Sequence, residues 1–518
     1  MQGKKLFLDK EVARFRLSER VPRHNLYRRM AELVDWSFLY DATRDQYSRT
    51  GQPSLDPVVF FKLVLVGRLE NLVSDRRLVE HCALRLDILW FLGYEVDEEL
   101  PWHSTISRTR QLFPAAVFER LFDHVFAQCV ARGLVAGDTQ AVDSAPVKAN
   151  ASLEAVLEKR VTGPHGPFLA TGEPPAAVPG ALVVTAAAHQ MRSLAARQAR
   201  LVAHSSVPGS RHPQARLLSN KTHYSPADPD ARISLKPGKA RALNYLCSLA
   251  VDTAHGVISH VQADFADSRD SLHLPRLLSG LQQRLRTNEL RVRDLLADAG
   301  YANGSNYALL EAQHITAWIP VFGQYKAEID GFTYDAPRDV YRCRAGKALP
   351  FRKYDTAADG HWLKIYWADC QDCQQCSLKP TCVPGAKRKQ LTRTLYDAPY
   401  RRAWQRQQSR RGQRMRRVRQ RTVEPVFGSL LHHYGLRRMN VRGRAGAHKT
   451  MLLTAVAYNL KKLLKYRPQR QISAAMVLSR PLLAAQRPRE RHNRRVSAVT
   501  AAAATGASAP RFLASAIT

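Results

Sequence analysis

An α/β fold with a mixed sheet, led by an all-α region and interrupted by a small cysteine-bearing insertion, is what this sequence predicts. Apolar residues recur at helical spacing through residues 1–135. Beyond them, short apolar runs and helical stretches alternate as strand, hairpin, helix, strand, helix, strand, the pattern of a mixed sheet. Finally, four cysteines crowd together as Cys370-x2-Cys373-x2-Cys376-x5-Cys382 in a loop-rich stretch.

Taken in order, Leu26, Met30, Leu33, Val34 and Phe38 lie on one helical face. Asp56 before Pro57 is an N-cap followed by proline at the first helical position, opening an apolar helix through Phe60, Phe61, Val64 and Leu65. Ser74 caps the next, with Leu78, Cys82 and Leu86 inward. His103-Ser104-Thr105 precedes another helix start, and a last helix runs from about Pro114 to a glycine stop at Gly133. Residues 1–135 thus form a helical N-terminal domain.

Residues 136–465 form the α/β domain. Gln140 to Ser144 reads as a short strand ending in Asp143. Residues 151–240, rich in Pro, Gly, Ala, His and basic groups, read as an inserted segment with one helix around Ala186 to Val202. Leu246–Val251 and Gly256–Val261 make a hairpin across Asp252-Thr253-Ala254-His255. A helix over Ser271–Leu285 follows, then a strand, Leu295-Leu296-Ala297, ending in Asp298. A helix near Ser305–Gln313 and a strand within Ile315–Pro320 complete this stretch. Residues 335–390 read as a second, loop-rich insertion without a core of its own. An Arg-rich helix spans about Tyr400 to Val423, and Lys449–Leu464 is amphipathic. Residues 466–518 lose all periodicity and read as a disordered basic tail.

The chain carries 79 Lys and Arg against 44 Asp and Glu, a formal charge of +35 over 518 residues. An excess this large, spread along the chain, predicts a polyanionic partner, with nucleic acid foremost. No apolar run has the length of a membrane span, and the N-terminus lacks a secretory h-region. Clustered cysteines point to metal in a reducing cytosol rather than to disulfides.

Phosphoryl transfer by two metals needs carboxylates from separate elements to converge on ions about 3.5–4 Å apart. Asp143 and Asp298 suit this, since each follows an apolar run and precedes small residues. Singly, such an Asp is more often a turn former or helix cap; Asp138, Asp264, Asp267 and Asp270 take that ordinary reading, Asp270 being the best of them for a supporting role. Glu424 is the third acid. It continues a helical stripe of Arg410, Arg414, Arg417 and Arg421, for which the alternative is a solvated basic face. Pro425 predicts a kink, or the start of a new turn, at Glu424.

Together these pieces resemble the bacterial insertion-sequence transposases of the DDE class, over about residues 20–465. The resemblance is carried by Gly51-Gln52-Pro53-Ser54-Leu55-Asp56-Pro57 through Trp102-His103-Ser104-Thr105, by Val142 to Asn150, by Ala297-Asp298-Ala299-Gly300-Tyr301, by Val423-Glu424-Pro425-Val426-Phe427-Gly428, and by Asn220 to Pro226. It implies an RNase H-like catalytic core with Asp143, Asp298 and Glu424 as catalytic acids holding two Mg²⁺ (or Mn²⁺) ions. It also implies cleavage at transposon ends with water as nucleophile, then attack of the freed 3′-hydroxyl on target DNA, by a homodimer or higher oligomer in the bacterial cytoplasm, associated with the nucleoid. The family's Tyr and Arg before the Glu, and the Lys after it, fall in strict register on Arg417, Gln420 and Leu431, with Arg421 and His432 one residue away.

Four thiolates at Cys370, Cys373, Cys376 and Cys382 suit a closed, structural Zn²⁺ site, with an iron–sulfur cluster as runner-up. Cys343 reads as a small buried hydrophobe. Gly443 to Thr450 is a near miss for a phosphate-binding loop, because His448 stands where the second glycine belongs. His432-His433 reads as polar surface. The Arg stripe with Arg437 and Arg438 is expected on DNA phosphates. Two other readings stay open: a nuclease of the same fold that cuts without joining, and a non-catalytic zinc-containing DNA-binding protein, an inactive transposase relic.

Overall fold

The structure, a computed structural model, describes residues 14–466 apart from 49, 51–53, 159, 164–165, 168–182, 186–217, 222, 235–240, 322, 324, 326–327 and 357–361. The expected helix over 186–202 and the tail from 467 onward lie outside the described residues.

The N-terminal region is helical, and its caps are the expected ones. Asp56 Oδ1 accepts from the amides of Val58 (2.7 Å) and Val59 (3.0 Å), opening helix α1 (Pro57–Leu69), which is buried along most of its length. Ser74 accepts from Arg77 N at the start of α2 (Asp75–Ala83). Helix α3 (His103–Leu112) begins at His103, and α4 (Ala115–Ala131) ends before Gly133, whose φ of +75° is the left-handed turn that glycine adopts without strain.

The central sheet is mixed. Strand β1 (Thr139–Lys148) pairs antiparallel with β2 (Ala242–Asp252), and β2 turns through the expected hairpin into β3 (Ile258–Phe265). On the other side of β1 lie two parallel strands, β4 (Asp294–Leu296) and then β5 (Thr316–Trp318). Helix α5 (Asp270–Thr287) links β3 to β4, and α6 (Gly304–Ala312) links β4 to β5. Gly280 lies where α5 crosses the sheet, and a Cβ there would collide with the His260 ring.

Helix α9 (Arg444–Lys465) is almost wholly buried against α1, α4 and β3. Asn459 locks it to the sheet by giving and taking a hydrogen bond with the Ile258 backbone, each 2.9 Å. A single apolar core therefore runs from the N-terminal helices through the sheet. Among the described residues, no helix is long and apolar enough to cross a membrane.

Several expectations need correcting. Asp143 is not at a strand end. Pairing continues through Pro146 to Lys148↔Asn244, because an extended strand tolerates proline's fixed φ at the loss of one donor. The single Arg-rich helix is two, α7 (Asp397–Gln408) and α8 (Arg410–His433), broken at Ser409, whose extended backbone and Oγ cap the second. Helix α8 then runs unbroken through Pro425, since Val423, Val426, Phe427 and Leu430 are buried on both sides of it and hold the helix in place.

Residues 335–390 are not a coreless loop. Strands Phe332–Asp335, Val340–Cys343, Ala348–Thr356, Trp362–Trp367 and Gln390–Thr394 form an antiparallel sheet in that order. Tyr341, Leu349, Tyr366, Ala368 and Leu391 make its own small core. The run Trp362-Leu363-Lys364-Ile365-Tyr366-Trp367, rich in aromatic and β-branched residues, is the local signal for it.

Candidate active site

The three acids come from three separate elements. Asp143 projects from the middle of β1, opposite Leu249 of β2. Asp298 follows β4 and caps the turn Ala299–Tyr301, its Oδ1 accepting from Gly300 N at 2.9 Å. Glu424 lies within α8 on an exposed face.

One residue joins them. Arg419 Nη2 is 2.6 Å from Asp143 Oδ2 and 3.7 Å from Asp298 Oδ2, and Nη1 is 3.7 Å from Glu424 Oε1. The Arg419 side chain is only 12% exposed, and its Nε is buried without a hydrogen-bond partner. Burial pushes the Asp143 carboxyl up to about 6; Arg419 opposes that shift, while Asp298 and Asp270 add to it.

Arg419 was missed because it lies off the exposed stripe of Arg410, Arg414, Arg417 and Arg421. It lies four residues after Met415 and four before Val423, on the half-buried side of α8. An arginine on the apolar side of a helix needs an anion nearby, and that was the available signal.

Asp270 also reaches this pocket. A Cβ at Gly300 would stand 3.0 Å from Asp298 Oδ1 and 3.2 Å from Asp270 Oδ2, so the two carboxylates border the same glycine. Beneath the acids, Ser144 Oγ meets Tyr301 Oη (2.5 Å) and Ser248 Oγ (2.9 Å), and Ser248 donates to Asp264 Oδ2 (2.8 Å). This chain ties the residue after Asp143 to the turn after Asp298. Asp264 is accordingly a buried acceptor within β3, also bonded by Gln262 and Arg276, and not a turn former.

Arg410, Arg414, Arg417, Arg421, Arg437 and Arg438 are all exposed, as are Gln420 and His432, while Leu431 is half-buried. Arg437 and Met439 hydrogen-bond the backbone of Lys148 at the end of β1, so this basic segment borders the strand that carries Asp143. The first two amides of the near-miss phosphate loop are taken by carboxylates: Gly443 N donates to Asp228 Oδ1 (3.1 Å) and Arg444 N to Asp230 Oδ2 (2.9 Å).

Among the described residues, no group of three or more His, Cys, Asp or Glu side chains is gathered to hold a metal ion. The expected set Cys370, Cys373, Cys376 and Cys382 is thus not closed on one point. Cys370 and Cys373 share the short helix Cys370–Gln374, and Cys382 ends a second, Lys379–Cys382. A cavity of about 290 Å³ is lined by Cys373, Cys376, Cys382 and Cys343, with Cys370 not among its lining residues. Cys343, half-buried at a strand end, packs against the small core of that sheet, as a small hydrophobe would, and also lines this cavity.

Two families match this chain. Residues 15–112 match the Transposase domain (DUF772), and residues 342–464 match the Transposase DDE domain. The second match contains Arg419, Glu424 and the cysteines, while Asp143 and Asp298 lie between the two. No curated protein matches the chain.

Proposed function

We propose, from the premise that this chain is an insertion-sequence transposase of the DDE class, that it cuts phosphodiesters at transposon ends and joins the freed 3′-hydroxyl to target DNA at the pocket of Asp143, Asp298 and Glu424. The observation that carries this reading is the approach of those three carboxylates, from β1, the turn after β4 and α8, to a single guanidinium. The sheet order supports an RNase H-like core: antiparallel neighbours on one side of β1 and parallel ones on the other.

Carboxylate oxygens are the donor set that Mg²⁺ and Mn²⁺ prefer, so Asp143, Asp298 and Glu424 would hold the two ions. When bound, such ions lower the pKa of a nucleophilic water or hydroxyl and neutralise charge on the leaving oxygen. Asp143 must be ionised to take part, and its raised carboxyl makes this an acid-sensitive requirement. Asp270 and the Ser144–Tyr301–Ser248–Asp264 chain position the acids. Arg410, Arg414, Arg417, Arg421, Arg437 and Arg438 bind phosphates of double-stranded DNA, contributing affinity and little sequence readout.

Supplying pre-cut transposon ends with a supercoiled target and Mg²⁺ should yield joined products. Cutting of uncut ends without any joining would identify a nuclease instead, and inertness in both assays would favour the relic.

For the cysteine module we propose structural zinc, taken by the thiolates of Cys343, Cys373, Cys376 and Cys382 as they close on the cavity they line. Zinc content of the purified protein should be near one per chain, lost in Cys343→Ser and kept in Cys370→Ser. The reverse pattern would restore the Cys370 set, and wild-type protein free of zinc and iron would end the proposal.

A further inference from the structure

We infer that Arg419 is a built-in counter-ion that occupies the acid pocket and competes with divalent cations for it. This rests on the acid-pocket reading above and adds a control element to it. A guanidinium is a cation, and that of Arg419 is set among Asp143, Asp298 and Glu424. A divalent ion in its place needs carboxylate oxygens at about 2.0–2.1 Å for Mg²⁺. Nη–O separations of 2.6, 3.7 and 3.7 Å leave the acids arrayed around a larger, planar cation instead. That accounts for the pocket being acidic yet not gathered for a metal among the described residues.

Arg419 is also imperfectly held. Its Nε is buried with no acceptor, which lowers the cost of leaving. Its helix carries Arg417 and Arg421 on the exposed face, where a displaced guanidinium would meet the phosphates those residues bind. Metal binding then requires the arginine to move out. The apparent affinity is reduced by the fraction of molecules in which it has done so, and a DNA phosphate that captures it raises that fraction.

The test uses the full-length, metal-free protein and Mn²⁺ followed by electron paramagnetic resonance, a readout independent of catalysis. Arg419→Gln should bind Mn²⁺ at least about tenfold more tightly than wild type. It should melt lower than wild type without metal, three carboxylates having lost their neutraliser, and regain more on adding Mn²⁺. Arg419→Lys keeps the charge but not the bridging fork, and should bind about threefold more tightly. It carries the test if Arg419→Gln does not fold.

Equal or weaker Mn²⁺ binding in the folded variant would overturn the inference and leave Arg419 a structural tie. Asp143→Asn separates the two levels of the argument. If it loses Mn²⁺ while Arg419→Gln gains nothing, the acid pocket stands and the competition falls; if it binds Mn²⁺ as wild type does, the acid pocket itself falls.

Discussion

Asp143→Asn, Asp298→Asn and Glu424→Gln are each expected to lower DNA cleavage by ~10³-fold or more, equivalent to ~4 kcal/mol of transition-state stabilisation. Each change keeps shape and removes one negative oxygen, so DNA retention on a native gel should be little altered. On the proposed pocket the acids would act as one unit, so the double variant Asp143→Asn/Glu424→Gln should be hardly worse than either single one. Gel-resolved cleavage of a labelled transposon end, at saturating protein and Mg²⁺, measures this. A variant cutting at the wild-type rate would remove its residue from the pocket. Among the three, Glu424→Gln is the most discriminating: Glu424 is 59% exposed, and nothing but its neighbours in space distinguishes it from a surface glutamate.

The second large effect concerns stability. Arg284 of α5, only 9% exposed, is held by Glu119 Oε2 (2.5 Å) and Asp123 Oδ1 (2.5 Å) of α4, and its Nη1 lies 2.6 Å from His260 Nδ1 of β3. Glu119 in turn meets His448 Nε2 of α9 at 2.8 Å, and the guanidinium stacks over Phe122 at 4.6 Å. Helices α4 and α5 and strand β3 therefore meet at one cation, with α9 joined through Glu119, and this fastens the N-terminal helices to the sheet.

Arg284→Ala leaves Glu119 without its cation and should destabilise the protein by about 3 kcal/mol. The low end of the range applies because Asp123 is half-exposed and regains water. Thermal and urea unfolding at neutral pH would measure it, and a change within error would mean that the knot is only a surface network.

The same knot sets a pH dependence. Burial first, and Arg284 second, pull the His260 imidazole down to about 3, against about 6.5 in an unfolded chain. Between those values the unfolded chain binds the extra proton. This contribution to stability is therefore fully present above about pH 6.5 and is lost as pH falls toward 3, by at most ~1.4 kcal/mol per pH unit. Unfolding between pH 7 and 5 should show a shallower acid slope in His260→Gln than in wild type.

Local sequence was enough for much of this architecture because its signals are short-range. The Asp56 cap, the Gly133 stop, the 252–255 hairpin and the helix after Asp270 each depend on a few consecutive residues, and each stands where the pattern put it. Pro425 misled for the complementary reason. Proline's local preference was overridden there by a buried helix face, just as the strand expected to end at Asp143 was carried on by pairing with β2. The sheet around Tyr341 and Tyr366 escaped because its strands carry many charges on the solvent side and its core is only a few residues deep.

Three acidic residues with the right neighbours, an Arg stripe, a cysteine cluster and a strongly basic balance were written in the chain itself, and so was the transposase resemblance they carry. What only the tertiary structure decided is which groups share a pocket. It brought Arg419 among the acids, set Asp270 beside Asp298, and exchanged Cys343 for Cys370 around the cysteine-lined cavity. The physical reason is that Coulombic and coordination partners are chosen by distance in space. Asp143, Asp298 and Arg419 lie more than a hundred residues apart along the chain, where no local pattern records that they will touch.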